Sequence, residues 1–314
     1  MRWGVAEKST VSARFRHTCS ATGAALALAL AACGGGGDGS PRATAPAARS
    51  ASPSATAPAS TSAPDAAPAP SAPDATPTPP SARRPRRPDL PADLDVSFAG
   101  DGARGAWVLR RRRSSDDPVV LFLHGWTAVD PALYGPWLTH LVRTGSTVVY
   151  PVYQDAPFLA PAVAFDGVVA GVRAALAEED LPRKGWVVAG HSAGGAMSAD
   201  YAARAGELGL PPARAVFAAY PGRRTRRIPL ELPEADPAGI PASTRLVALY
   251  GADDQTVGAT TARRTIARAD ADFEQLIRVD DPAVDDHLGP QRAGPATRRV
   301  FWRRLDALIR AARR

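Results

Sequence analysis

The chain has 314 residues, a formal net charge of +7 and 45% hydrophobic side chains, and its composition changes sharply along its length. Residues 34–95 are dominated by Ala, Pro, Ser and Thr, whereas residues 96–314 have the mixed composition of one domain large enough to bury a sizeable core. That domain is only mildly basic, which does not indicate a nucleic-acid partner, and both cysteines precede it, which excludes disulfides, a cysteine nucleophile and a Cys-ligated zinc site.

The first 32 residues have the pattern of an export signal. Positive side chains within 1–20 precede an apolar run at 21–32 that is too short to span a bilayer permanently. The run ends in LAAC at 30–33, followed by four glycines, and this resembles the lipobox of bacterial lipoproteins. The resemblance implies that Cys33 is lipidated and anchors the protein to the outer side of a bacterial membrane, in the cell envelope. An ordinary secretory signal with a chance cysteine is the alternative.

Residues 33–95 are predicted to be a disordered tether. Proline recurs every few residues and large apolar side chains are nearly absent, so the segment cannot bury enough surface to offset the entropy of ordering. Pro-rich linkers of this kind extend at roughly 3.1 Å per residue. We interpret the arginine cluster at 83–87 as solvated charge, with contact to anionic lipid or envelope polymer as the alternative.

Residues 96–314 alternate between strand-like and helix-like patterns. Apolar runs predict strands at 104–111, 118–123, 146–151, 185–190, 214–220, 245–250 and 273–279. Helical spacing of apolar residues predicts helices at 132–144, 161–179, 193–208, 257–269 and 296–312. Repeated alternation of this kind predicts an α/β domain with a mostly parallel sheet that helices cover on both faces.

The predicted strand 185–190 runs into the sequence GHSAG at 190–194. G-x-S-x-G between a strand and a helix is typical of a nucleophile elbow, because small neighbours let the serine oxygen project from the end of the sheet. The N-terminus of the following helix adds a positive dipole at the same point. We therefore predict Ser192 as a nucleophile, with a simple Gly-rich turn as the alternative.

A nucleophilic serine needs a base, and the chain has five histidines. Only His287 lies in a loop after the last predicted strand, which is where the order Ser, acid, His requires the base. The others are His17 in the signal, His124 in a turn, His140 in a predicted helix and His191, which is expected to point away from Ser192. His287 is therefore the predicted base.

The acid is expected after a strand that precedes His287, and strand 245–250 is followed by GADDQTV at 251–257. Together with the elbow, this segment resembles the α/β-hydrolase superfamily, in which G-x-x-D-x-x-V carries the acid of the catalytic triad. The resemblance implies that Asp254 is the acid. Asp253, which would otherwise be a solvated turn carboxylate, is the alternative.

The same resemblance covers the turn His124-Gly125-Trp126 and spans essentially all of residues 96–314. It implies an oxyanion hole formed by the backbone N–H groups of Trp126 and Ala193, with a structural role for His124. It also implies a serine hydrolase of small carboxylic esters that acts through an acyl-Ser192 intermediate. No cofactor is expected, and a metal-dependent hydrolase is disfavoured because the sequence has no HExxH motif or paired-His spacing. Peptide, lactone or thioester hydrolysis is an alternative, and a non-catalytic, envelope-binding lipoprotein is an alternative of another class; the oligomeric state stays open.

The segment 221–244 is too short for a helical cap domain, so the lid is predicted to be small or absent. Its arginines are interpreted as a solvated basic loop, with pairing to an anionic substrate group as the alternative; they are Arg223, Arg224, Arg226 and Arg227. Four apolar residues follow strand 146–151, on the side where ligands bind to such sheets; they are Tyr153, Phe158, Leu159 and Phe165. Whether they line an acyl pocket or belong to the core stays open.

Overall fold

The computed structural model describes residues 85–112, 117–154, 160–225 and 230–313. The predicted signal, most of the predicted tether and several residues singled out from the sequence lie outside this described part; they are Cys33, Phe158, Leu159, Arg226 and Arg227. None of the helices in the described part is both long and apolar enough to cross a membrane.

Within the described residues, eight strands form one sheet: β1 Leu94–Ala99, β2 Ala106–Arg111, β3 Val119–Leu123, β4 Thr147–Pro151, β5 Trp186–His191, β6 Ala213–Ala219, β7 Arg245–Gly251 and β8 Phe273–Val279. Their order across the sheet is β1-β2-β4-β3-β5-β6-β7-β8. The strands β4, β3, β5, β6, β7 and β8 are mutually parallel, whereas β1 and β2 are antiparallel to their neighbours. The sheet is therefore mostly parallel, as the alternating pattern predicts.

Helices cover both faces of this sheet: α1 Gly135–Arg143, α2 Ala164–Glu178, α3 Ala193–Arg204, α4 Thr260–Arg268, and α5 Pro295–Thr297, which continues through a π-helical turn into α6 Arg303–Ala312. One apolar cluster joins α1 and α6 to the sheet, and the other joins α2, α3 and α4 to its opposite face. Because both faces are covered, all five residues of β3 are buried, which explains its unbroken apolar run.

The seven predicted strands are confirmed to within two residues, but β1 is not among them. This strand begins within the predicted tether, and Leu90 and Leu94 are buried in the core. Both lie in a Pro- and Asp-rich stretch that carries little periodic signal. The predicted helix 193–208 is also too long, because α3 ends at Arg204, before Gly206 and the left-handed Gly209.

The insert between β6 and β7 is not a helical cap over its described residues. Its regular structure there is the 3-10 turn Pro237–Gly239 and an isolated antiparallel bridge between Arg224 and Glu231. Its apolar residues Leu230, Leu232 and Ile240 are buried against the cluster that contains α3 and α4. The prediction of a small lid is therefore confirmed over the described residues of the insert. The residues predicted to form the site follow the carboxyl ends of the parallel strands.

Candidate active site

Ser192 stands between β5 and α3 in a backbone conformation that is rare for a residue with a side chain, with φ 56° and ψ −120°. Such a conformation costs of the order of 1–3 kcal/mol and persists only where the surroundings enforce it. Here the Ser192 N–H donates to the Ala219 carbonyl at 3.1 Å. A Cβ on Gly194 would overlap the carbonyl oxygen of Leu123, and one on Gly190 would overlap that of Gly194. The two glycines of G-x-S-x-G are therefore needed for the close packing of this turn.

The structure brings Ser192, His287 and Asp254 together at the carboxyl end of the sheet. The Ser192 Oγ lies 3.0 Å from His287 Nε2, and His287 Nδ1 lies 2.9 Å from Asp254 Oδ2. Since an ionised carboxylate only accepts hydrogen bonds, we assign the imidazole proton to Nδ1. The Nε2 lone pair is then free to accept the Ser192 hydroxyl proton, which is the arrangement of a serine triad.

Asp254 is held in a fixed orientation by the turn that follows β7. Its Oδ1 accepts hydrogen bonds from the N–H groups of Thr256 at 2.9 Å and Val257 at 3.1 Å, which leaves Oδ2 for His287. Burial acts to raise the pKa of the Asp254 carboxyl, but the hydrogen bond and charge of His287 and the two backbone donors outweigh it, so the pKa lies below its ordinary value. Asp253 is exposed, and its carboxylate accepts a hydrogen bond from the Gln255 side-chain amide at 3.1 Å. The geometry thus favours Asp254 over Asp253.

The loop that carries His287 is held by hydrogen bonds to its main-chain carbonyls from neighbouring elements. The Tyr220 hydroxyl donates to the Val284 carbonyl at 2.6 Å, and the Asp253 N–H donates to the Asp285 carbonyl at 3.2 Å. A Cβ on Gly251 would overlap that same Asp285 carbonyl. The glycine that begins the G-x-x-D-x-x-V segment therefore lets the base loop approach the acid turn.

The turn after β3 lies beside the serine, since a Cβ on Gly125 would be 3.5 Å from Ser192 Cβ. Three of its four consecutive N–H groups are occupied: Gly125 donates to Tyr134 Oη at 2.9 Å, Thr127 to Gln154 Oε1 at 2.8 Å and Ala128 to the Gly125 carbonyl at 3.0 Å. Among the described residues, the N–H groups of Trp126 and of Ala193 have no hydrogen-bond partner. These are the two donors that the sequence implies for an oxyanion hole. Ala193 follows Ser192 in the chain, and Trp126 follows Gly125, the residue of this turn that lies beside Ser192.

Aromatic side chains from the end of β4 hold this turn in place. The Tyr153 hydroxyl donates to the His124 carbonyl, and the Tyr150 hydroxyl donates to the Ala128 carbonyl. The Tyr153 ring also stacks on the His124 ring with centroids 3.9 Å apart. Tyr153 is completely buried, so it supports the turn from within the core and does not line an acyl pocket.

His124 is a buried, neutral residue. Its Nδ1–H donates to the Gly125 carbonyl at 2.7 Å, and burial lowers the pKa of its imidazole to about 4. An uncharged ring packed between Tyr150 and Tyr153 fits the structural role expected from the sequence. Phe165 packs against the cluster that contains α3, with the Arg204 guanidinium 5.1 Å from its ring centroid.

The interpretation of Arg223 as a solvated residue is wrong. Arg223 is 8% exposed, and its guanidinium makes a bidentate contact with Asp200 of α3, with N–O distances of 2.6 and 3.0 Å. The Ala235 N–H also donates to Asp200 at 3.0 Å, so this ion pair ties the insert to α3. Arg224, by contrast, is exposed and pairs with Glu231.

The sequence analysis missed three residues whose side chains hydrogen-bond to the main chain of the turn after β3, because no sequence pattern reveals them; they are Tyr134, Tyr150 and Gln154.

Comparison with known proteins fits this geometry. A family model described as alpha/beta hydrolase fold matches residues 120–272, just under half of the chain. No curated protein sequence matches the chain significantly.

Several solved structures resemble the chain over most of the described domain. Carboxyl esterase 2 from the fungus Tuber melanosporum has a TM-score of 0.57 at 15% identity, covering 72% of this chain and 90% of its own. A fungal esterase from Rhizomucor miehei has a TM-score of 0.56 at 17% identity, covering 71% of this chain and 84% of its own. A thermostable esterase from Pseudomonas putida gives 0.52 at 18% identity, covering 70% and 82%. The chain therefore has the α/β-hydrolase fold.

Proposed function

We propose that this protein is a serine hydrolase of carboxylic esters that acts through an acyl-Ser192 intermediate. The observation that carries the proposal is the hydrogen-bonded series from Ser192 Oγ through His287 to Asp254, beside two unused backbone N–H groups. The esterases that share the fold support the choice of ester substrates. The same atoms would also serve lactones, thioesters or peptides, so the tests include those bonds.

In the first half-reaction the proton of the Ser192 hydroxyl moves to His287 Nε2 as Oγ bonds to the ester carbonyl carbon. The carbonyl oxygen becomes an oxyanion, which we expect the N–H groups of Trp126 and Ala193 to stabilise. A donor of this kind contributes about 3–4 kcal/mol in a comparable protease. The carbonyl re-forms, the bond to the alcohol oxygen breaks, and His287 gives its proton to the departing alcohol.

In the second half-reaction water replaces the alcohol. His287 takes a proton from the water as its oxygen bonds to the acyl carbon, and returns a proton to Ser192 Oγ as the acid leaves. Asp254 remains ionised throughout and stabilises the imidazolium that forms in both halves. Its lowered pKa fits this part, because the carboxylate stays charged at neutral pH.

We expect short-to-medium acyl esters to react fastest, with no rate jump at an oil–water interface. Interfacial activation needs an apolar lid that opens on lipid, whereas the apolar side chains in the described part of the insert are buried in the core. The measurement is kcat/KM for p-nitrophenyl esters of increasing acyl length, below and above the solubility limit of each. A sharp jump at that limit, or a preference for long acyl chains, would contradict this expectation. A lactone, a thioester and a peptide p-nitroanilide serve as comparison substrates.

The cell-envelope location is also part of the proposal. It rests on the segment LAAC at 30–33 after an apolar run, which resembles a lipobox. Several acyl chains give stable anchoring where one gives only marginal binding. Cys33→Ser should therefore move the protein from the detergent phase to the aqueous phase in a partition assay. Cys19→Ser is the matched control and should partition as wild type, because Cys19 precedes the apolar run; a Cys33→Ser protein that stays in the detergent phase would overturn the anchoring.

A further inference from the structure

Two fully buried polar residues without a step in this reaction lie between the base loop and the turn after β3. His191 precedes Ser192 and is 1% exposed, and Tyr134 ends the 3-10 turn before α1 and is also 1% exposed. Buried polar side chains are costly unless every hydrogen-bonding atom is satisfied. The partners of these two residues therefore indicate what they do.

The two side chains form an unbroken hydrogen-bonded chain between main-chain atoms of the site. His191 Nε2 lies 2.8 Å from the carbonyl oxygen of His287, and His191 Nδ1 lies 2.8 Å from the Tyr134 hydroxyl. The Tyr134 oxygen in turn accepts the Gly125 N–H at 2.9 Å, and also the Gln291 side-chain amide at 3.3 Å. This series of hydrogen bonds thus begins at the main-chain carbonyl of His287 and ends at the Gly125 N–H, in the turn that carries Trp126.

The proton positions along this chain follow from the partners. A carbonyl only accepts, so His191 must carry its proton on Nε2, and its bare Nδ1 then accepts from the Tyr134 hydroxyl. Burial lowers the pKa of His191 to about 3, assisted by the charge of His287, and burial raises the pKa of Tyr134 to about 12. Both groups are consequently neutral at physiological pH. The His191 Nε2–H donates to the His287 carbonyl, and the Tyr134 hydroxyl donates to His191 Nδ1.

We propose that His191 and Tyr134 are positioning residues that fix His287 and the Trp126 N–H relative to one another through this chain of hydrogen bonds. The inference rests on the proposed function, since it concerns the geometry of that reaction. The base receives the serine proton while the turn stabilises the oxyanion, so both must be aligned in the same transition state. A misplacement of about 1 Å between reacting groups can cost about 100-fold in rate.

Kinetics of three variants test the proposal. His191→Leu removes both hydrogen bonds of the ring, His191→Gln can keep a donor near the Nε2 position, and Tyr134→Phe removes only the hydroxyl. We expect kcat to fall by about 10- to 100-fold in His191→Leu and Tyr134→Phe with KM changed less than about threefold, and His191→Gln to recover a large part of the loss. The double variant His191→Leu/Tyr134→Phe should have a kcat no lower than that of the poorer single variant, because each change already interrupts the same series of hydrogen bonds.

The matched control is Tyr201→Phe. Tyr201 is also buried and donates through its hydroxyl to a main-chain carbonyl, that of Pro211 at 2.9 Å, but on α3 away from the base loop. It should lose stability to a similar degree as Tyr134→Phe while keeping its kcat. If Tyr201→Phe lowers kcat as much as Tyr134→Phe does, or if the His191 variants keep wild-type kcat, the positioning role is overturned.

A measurement on the wild-type protein does not depend on the activity. Nitrogen-15 NMR of the histidine rings should show His191 protonated on Nε2 and bare at Nδ1, without titration from pH 5 to 8. A proton on Nδ1, or a titration in that range, overturns the chain of hydrogen bonds. If the wild type shows this tautomer but neither hydrolyses esters nor reacts with a serine probe, the proposed function fails and the hydrogen-bonded chain stands. If it is active and the variants keep their kcat, the proposed function stands and the positioning role fails.

Discussion

Ser192→Ala should abolish ester hydrolysis, with a loss of about a million-fold in kcat. The change removes the one oxygen that lies 3.0 Å from His287 Nε2, so no acyl-enzyme can form at this position. Hydrolysis by water alone, assisted by the oxyanion donors, would account for any residual rate. The measurement is turnover of a p-nitrophenyl ester together with labelling by a fluorophosphonate probe, followed by identification of the labelled peptide.

The Ser192→Ala protein should remain folded, because alanine keeps the backbone of the elbow and removes one oxygen. Its thermal midpoint should lie within a few degrees of wild type. Ser146→Ala is the matched control: Ser146 is also buried but precedes β4, at the opposite end of the sheet from Ser192, and its replacement should leave labelling and turnover unchanged. Full labelling of the Ser192→Ala protein at another serine would show that the nucleophile lies elsewhere.

The fold was predictable because the central strands are buried on both faces. Each of them reads as a short apolar run, and turns and helices separate the runs regularly. β1 has no such signal: Leu94 and Phe98 are buried, but Asp95 is exposed and Val96 and Ser97 are only partly buried. An edge strand next to a Pro-rich segment is recognised only from its pairing with β2.

The candidate site was predictable to the extent that its residues belong to local motifs. Ser192 and Asp254 lie in short segments whose glycines are required by close main-chain contacts. The supporting roles were not predictable in this way. His191 lies within GHSAG at a position where the motif specifies no residue type, and its partner, the His287 carbonyl, is 96 residues away; Tyr134 belongs to no motif. Long-range pairing of this kind leaves no trace in the spacing of residue types.

Arg223 shows how a local pattern can mislead. Four arginines in a Pro-rich stretch resemble a solvated loop, and for Arg224 exposure is observed. Arg223 differs because its partner, Asp200, projects from α3, an element that precedes it by a whole strand. Burial acts to raise the pKa of Asp200, against the lowering by Arg223, so removal of either partner leaves a costly buried charge.

The identity of the acid is decided by comparing Asp254→Asn with Asp253→Asn. Asp254→Asn should lower kcat by about ten-thousandfold, as the equivalent change does in a related triad. The structure gives the reason: the oxygen at the Oδ1 position is held by the N–H groups of Thr256 and Val257, so the new amide nitrogen must face His287. An amide donor there forces the imidazole proton onto Nε2, and the ring can no longer accept the serine proton.

Asp253→Asn should change kcat by less than about threefold, because the Asp253 carboxyl is exposed and accepts a hydrogen bond from the Gln255 side chain, not from His287. Both variants replace one carboxylate oxygen by an amide nitrogen, at neighbouring positions. A difference in kcat between them therefore reports where the carboxyl lies and not what kind of change was made.

The free energy of unfolding gives a second comparison. Because the pKa of Asp254 is lowered in the folded protein, its charge stabilises the fold above about pH 4, and this contribution is lost as the pH falls through the folded-state pKa. The free-energy gap between wild type and Asp254→Asn should therefore narrow in acid. A larger loss of kcat in Asp253→Asn than in Asp254→Asn would identify Asp253 as the acid, and the assignments of Ser192 and His287 would be unaffected.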